Sequence, residues 1–377
     1  MKRFVAYLSL VLCGLLAAQA QTDTVAHRNL WQRMVGYLSL DKEDSVSAKP
    51  LRWVVLGGPH YSSEQKLGVA LSGIASFRLS GCDSLMQPSS AMAFVDVSTA
   101  GFWSTGLSGD ILFPRDARRV NVDVRFGYSP YDFWGMGYDM GRDNANKTRL
   151  HQRDVKLHAD MIWRLVRNFY AGPSVEFNYS QSGDLDRPEL LRGMRQTVRN
   201  YGAGFTLQYD SRDLINNATR GGYVYVNQLF RPKLMGNHYA FSTTDFKASL
   251  YRRAWQGAVI AAEARATLNF GHPSWAMMAQ LGGSQAMRGY YKGRFRDKHA
   301  AYAQVELRQH VWHRSGVVVW LGGGNVFHGW RSLTAHFLPN YGAGYRWEVR
   351  RGMNLRLDYG FGSHGCSGFT FSMYEAF

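Results

Sequence analysis

Along most of this chain, apolar and polar residues alternate one by one. Between 301 and 311, Ala301, Ala303, Val305, Leu307 and Val311 fall on one face, and Gln304, Glu306, Arg308 and His310 on the other. Val120, Val122, Val124, Phe126 and Tyr128 alternate with Asn121, Asp123, Arg125, Gly127 and Ser129. The same happens at Asp154–Met161, and near the end Asn354, Arg356 and Asp358 alternate with Leu355, Leu357 and Tyr359. A period of two is the mark of a β-strand with unlike faces. Pattern and turn signals together predict sixteen strands, the first over 53–61 and the last over 368–377. The polar faces carry both charge signs on single strands, which suits an ion-paired, water-filled lumen better than a solvated sheet face. Parity sorts the connections as well. The longest, 132–148, 181–199, 271–299 and 328–338, share one end, and most short turns share the other.

The N-terminus, the aromatic content and the terminal Phe377 weight a barrel over a soluble, periplasmic or secreted sandwich. Lys2 and Arg3 precede an apolar run from Phe4 to Leu16, and Ala18-Gln19-Ala20 is a cleavage signal, so residues 1–20 read as a signal peptide. No later stretch reaches the ~18 apolar residues of a membrane helix. Only a β-barrel hides its membrane signal in alternation. The fold class is therefore all-β, a 16-stranded antiparallel transmembrane β-barrel over 53–377, with a periplasmic leader at 21–52. Within that leader "HRNLWQRMVGYLSL" is either a short amphipathic helix, with Leu30, Met34 and Leu38 on one side, or a flexible segment. Aromatics at 14% and 40 glycines against 10 prolines fit many strands, tight turns and interfacial girdles. The net charge of +16 favours anionic partners. Export and lipid-like faces turn that preference away from nucleic acid and toward outer-membrane lipids and surface glycolipid. Cys82 and Cys366 are assigned to opposite ends, so no disulfide is expected between them. GxSxG, HExxH, Walker A and paired-Cys motifs are all missing, so no enzyme activity, cofactor or metal is predicted.

Three motifs stand out. "AMRGYYKGRFRDKHA", 286–300, lies in the longest connection. An arginine in a barrel lumen needs an acidic partner, and Glu306 and Asp358 point inward on nearby strands. Lys292, Arg294, Arg296 and Lys298 are expected to line the lumen or reach glycolipid phosphates. In "YDSRDLINNATRGGY", Asp210 and Asp213 can accept backbone N–H bonds, Arg212 and Arg220 supply counter-charge, and Gly221 and Gly222 allow positive φ. "LGGGNVF", with Gly322–Gly324 in the thirteenth strand, marks room for another segment inside the barrel.

These residues resemble the BamA/TamA family of the bacterial surface-antigen superfamily. The likeness rests on Arg288, Gly289 and Tyr290 after a Gly-rich run, on Asp210, Ser211, Arg212, Asp213 and Gly221, and on a last strand ending in the aromatic Phe377. It implies a barrel with loop six folded into the lumen, its Arg288 held by Glu306 and a further acid. Gly322 stands where the family has an acid on strand thirteen, and Ala218 where it often has proline. The chain looks like a barrel-only member without POTRA domains. The resemblance implies assembly or insertion of outer-membrane proteins through a weak seam between first and last strands, where Gly57, Gly58 and Phe377 lie. Client outer-membrane proteins and a partner supplying periplasmic domains go with that reading. The alternative is a translocation pore or an anchoring barrel for one partner, with loop six as plug.

Overall fold

A strand that crosses a bilayer must pair its backbone with neighbours and show apolar side chains on its lipid side. The computed structural model meets both demands with sixteen antiparallel strands in a closed barrel. It describes residues 51–377 except 80–88, 184, 215–216 and 351–352. The signal peptide, residues 21–50 of the leader and Cys82 lie outside the described residues. Cys366 is a free, buried thiol.

The first strands are β1 (Leu51–Ser62), β2 (Lys66–Phe77), β3 (Ser89–Ser98) and β4 (Trp103–Leu112). Longer strands follow: β5 (Arg118–Phe133), β6 (Thr148–Val166), β7 (Phe169–Gly183) and β8 (Thr197–Asp210). Then come β9 (Gly221–Arg231), β10 (Phe241–Arg253), β11 (Ala258–Gly271) and β12 (His299–Trp312). The last are β13 (Ser315–Phe327), β14 (Leu338–Arg350), β15 (Met353–Gly362) and β16 (Ser367–Met373). Each pairs with its sequence neighbours, and β1 meets β16. A small ribbon, Ala279–Gln280 with Arg296–Asp297, forms inside the β11–β12 connection.

The faces are those of a membrane barrel, with burial inverted relative to a soluble protein. Leu107, Val175, Leu250 and Leu321 point outward and are exposed, while Thr206, Asn227, Glu263 and Gln304 point inward and are buried. A buried polar group left alone costs about 1–3 kcal/mol, so the inward groups bond one another. Thr206 Oγ1 donates to Asp160 at 2.9 Å, and Asn227 Nδ2 donates to Thr206 at 2.8 Å and Ser174 at 2.9 Å. Arg231 donates to Glu176 at 2.6 Å and to Thr243 at 2.8 Å. At the long-loop end, apolar residues form a buried cap that includes Met136, Leu190, Leu191 and Trp275. The short helix α1 (Tyr138–Arg142) belongs to the same end.

Closure is uneven. β1 and β2 pair along all of Leu51–Ser62, but among the described residues β1 and β16 pair only at Tyr61 opposite Phe371. The last strand is also shorter than its alternation suggests. Tyr374 adopts a positive φ of 64°, which turns the chain out of the ladder after Met373.

Candidate functional site

The β11–β12 connection, residues 272–298, is bent by positive-φ positions at Gly282, Gly283, Met287, Gly289 and Gly293. Gly289 has φ +104° and lies on the backbone of β15. A Cβ there would sit 2.6 Å from the carbonyl carbon of Gly360. A Cβ on Gly360 would in turn overlap the Arg288 carbonyl, and one on Gly362 would overlap the Tyr290 ring. Two glycines of β15 therefore form a bed for the Arg-Gly-Tyr turn. Tyr290 is fixed there by its hydroxyl, which donates to the Pro339 carbonyl at 2.6 Å and accepts from the Ser363 N–H at 2.7 Å. Asn340 Nδ2 donates to the Arg288 carbonyl.

The bed aims the Arg288 side chain at two carboxylates. Its Nη2 donates to Glu306 of β12 at 2.5 Å and its Nη1 to Asp358 of β15 at 2.8 Å. All three side chains are at most 1% exposed. The guanidinium also lies 3.6 Å from the ring centroid of Trp320 on β13, where a cation is held by the ring's negative face. Strand thirteen thus contributes an aromatic platform, and β15 contributes the second acid.

The carboxylates extend the cluster. Glu306 also accepts from Arg308 at 2.7 Å, and Asp358 from Arg346 at 2.6 Å. Arg346 reaches Glu375 at 2.8 Å, and Arg356 lies 3.6 Å from Asp358. Arg356 donates to the Ser284 carbonyl at 2.8 Å, a second tie between the barrel wall and the loop. Four arginines face three carboxylates, so the cluster is rich in cations. Burial of such groups is tolerable only because each anion has more than one partner.

The sequence singles out Arg288, Gly289, Tyr290, Glu306 and Asp358, and the structure brings these five together. It adds Arg346, Glu375, Trp320, Gly360 and Gly362. Glu375 is in reach because the chain leaves the sheet at Tyr374. Phe377 is displaced for the same reason. It lies outside the gate strand, with its ring 6.4 Å from Tyr251 of β10 and its main-chain oxygen accepting from Arg308 at 2.9 Å. The glycines of "LGGGNVF" lie in β13. The nearest atoms to an added Cβ belong to Ala303 and Gln304 at Gly322, to Phe337 at Gly323 and to Ala301 and Tyr302 at Gly324. Gly360 and Gly362 make room for the loop. Two of the loop cations are buried, so they do not reach the surface. Arg294 Nε donates to the Gly141 carbonyl at 2.8 Å, and the Arg296 guanidinium lies 4.7 Å from the Phe133 ring centroid.

The second motif builds the β8–β9 turn at the opposite end. Asp213 Oδ1 accepts from the N–H groups of Leu214 at 3.0 Å and Thr219 at 2.9 Å, and Oδ2 accepts from Thr219 Oγ1 at 2.5 Å. Burial works to raise its pKa, but these donors outweigh it and hold the carboxyl below its usual range. Arg212 donates to Asp210 at 2.8 Å and lies 4.2 Å from the Tyr223 ring centroid. Gly221 has φ +97°, and a Cβ there would overlap the Ser211 carbonyl. Gly57 and Gly58 lie in β1 near the seam. A Cβ at Gly57 would press on Leu71 at 2.9 Å, whereas one at Gly58 meets nothing within 4 Å.

Comparison with known proteins agrees with the barrel fold. Among the solved structures this chain resembles is BamA from Haemophilus ducreyi lacking POTRA domains 1–3. It superposes with a TM-score of 0.59 at 11% identity, over 85% of this chain and 70% of that one. CdiB from Acinetobacter baumannii gives 0.56 at 12%, over 87% and 60%. CdiB from Escherichia coli gives 0.57 at 11%, over 91% and 70%. These likenesses concern the fold. No curated protein sequence is a significant match. The model of the Omp85 superfamily domain matches residues 110–377, most of the barrel, and so this chain belongs to the Omp85 superfamily.

Proposed function

We propose that this protein acts in the outer membrane in the assembly or insertion of other outer-membrane proteins, by opening the seam between β1 and β16. The observation that carries the reading is the single residue pair, Tyr61 opposite Phe371, at that seam. An edge held by so little ladder opens at low cost, and the freed edges can template a client strand by main-chain pairing. Contacts of loop six support a role in controlling the opening. Its Gly289 faces Gly360 of β15 and Gly368 of β16, while the Lys292 N–H donates to Glu64 of the β1–β2 turn at 2.7 Å. The loop therefore bridges both sides of the seam. A partner that supplies periplasmic domains and delivers clients completes the scheme.

A disulfide between Tyr61→Cys and Phe371→Cys, in a background with Cys82→Ser and Cys366→Ser, tests it. In proteoliposomes the reduced protein should speed folding of another barrel and the oxidised protein should not. If the locked form works as well as the reduced one, seam opening is not the mechanism. The second reading, a pore or anchoring barrel plugged by loop six, draws on the loop's ties to inward-facing charges. It predicts bilayer conductance that rises when Met287–Asp297 is deleted, without any effect on client folding.

A further inference from the structure

We propose that the outward face of β6 and β8, at the long-loop end, is a binding site for a phosphorylated glycolipid of the outer leaflet. The proposal rests on the reading of the chain as an outer-membrane barrel. Strand register fixes the geometry. Trp103 of β4 stands opposite Tyr128 of β5, and Tyr128 opposite Arg153 of β6. Opposed residues in an antiparallel ladder share a face, and Trp103 is exposed on the outer surface. Arg153 therefore points outward, level with aromatic side chains of the kind that mark a membrane–water interface. Two strands on, Arg199 of β8 stands opposite Tyr179 of β7, one outward row nearer the membrane centre. The next row holds Phe177 and Tyr201, whose rings lie 4.9 Å apart. From strand spacing and rise, the two arginines are on the order of 12 Å apart at their Cα atoms.

Their charge is uncommitted. Arg149, farther out on the same face of β6, bonds Asp132 at 3.0 Å. The arginines of the lumen cluster each have carboxylate partners. Among the described residues, neither Arg153 nor Arg199 forms an ion pair. Both are exposed.

A second observation points to an amphiphile rather than a free anion. The turn Lys233–Met235 between β9 and β10 carries Leu234 at 96% exposure, with Lys233 and Met235 also exposed. The turn is not a loose tip. Asn237 accepts from the Tyr201 N–H at 2.7 Å and donates to the Tyr201 carbonyl at 2.9 Å, which ties it to β8. A Cβ on Gly236 would lie 3.9 Å from the Tyr201 ring, which places the turn beside that outward side chain. A leucine held fully exposed by a tethered turn is unfavourable in water and favourable among acyl chains. Cations for phosphate, with apolar groups beside them for acyl chains, are what a phosphorylated glycolipid requires. Arginine suits the phosphate because its planar fork binds two oxygens at once.

The test uses the whole chain, folded in detergent and challenged with a diphosphorylated, core-less outer-leaflet glycolipid or with the same lipid after phosphatase treatment. Lipid retained per barrel is measured after washing. The wild type should retain the phosphorylated form at least about tenfold better, the effect of one or two charge-assisted bonds. Arg153→Gln with Arg199→Gln should erase that preference, and Leu234→Ser with Met235→Ser should lower retention of both forms alike. Arg118→Gln with Arg252→Gln, at the other end of the barrel, should leave the preference intact. A wild type without preference, or a β6/β8 double variant that keeps it, overturns the proposal. Failure of the wild type to float with liposomes would instead overturn the membrane-barrel reading beneath it.

Discussion

Replacing Arg288 with alanine should free loop six while leaving the barrel closed. The change removes two charge-assisted hydrogen bonds, to Glu306 and Asp358, and the stacking on Trp320. Breaking a buried ion pair ordinarily costs about 3–5 kcal/mol, because a charge is left without compensation. Here the cost should fall at the low end. Glu306 keeps Arg308, and Asp358 keeps Arg346. Four arginines against three carboxylates become three against three, so no anion is stranded. About 3 kcal/mol corresponds to roughly a hundredfold rise in the population of the detached loop. Proteolysis follows that population when opening is faster than cleavage. Trypsin cleavage after Lys292 or Arg294 in the folded barrel should therefore accelerate by about two orders of magnitude. Arg288→Lys keeps the charge but loses the fork, so it should fall between. Heat-modifiable gel migration reports that the barrel itself is intact. Cleavage at the wild-type rate in a folded Arg288→Ala protein would refute the latch.

Glu306→Gln should be more damaging than Arg288→Ala, because it leaves four buried arginines against two carboxylates; thermal unfolding in detergent gives the ranking. Gly360→Ala should raise loop protease sensitivity, since its Cβ overlaps the Arg288 carbonyl, while Gly58→Ala, with open space around it, should change neither stability nor protection. The Asp213 carboxyl titrates lower in the folded turn than in the unfolded chain. Its contribution is thus fully present above the unfolded value of about 3.9 and is lost as pH falls through the folded one. Protection of the Thr219 and Arg220 amides, measured against their intrinsic exchange, should hold from neutral pH down to about 4 and fall below it, and Asp213→Asn should abolish that acid dependence.

Much of this molecule was legible before folding. A lipid-facing wall and a polar lumen force every strand to alternate, and alternation is a local property that the eye can count. The strand number, the end at which the long loops gather and the inward direction of Glu306 and Asp358 all follow from it. Arg288 was legible for a related reason, since a cation beside a glycine-rich run in a long connection has to find an acid somewhere. Tertiary structure decided the matters that depend on what arrives opposite. That Gly360 and Gly362 lie under the loop is one of them, because closure of the sheet sets which strand faces it. Glu375 and Phe377 read as one more alternating strand until Tyr374 turns the chain inward, where Arg346 and Arg308, contributed by β14 and β12, outweigh a few more ladder bonds. The single-pair seam is a matter of register between the first and last strands. No local pattern records it, since the two edges are separated by nearly the whole chain and meet only when the barrel closes.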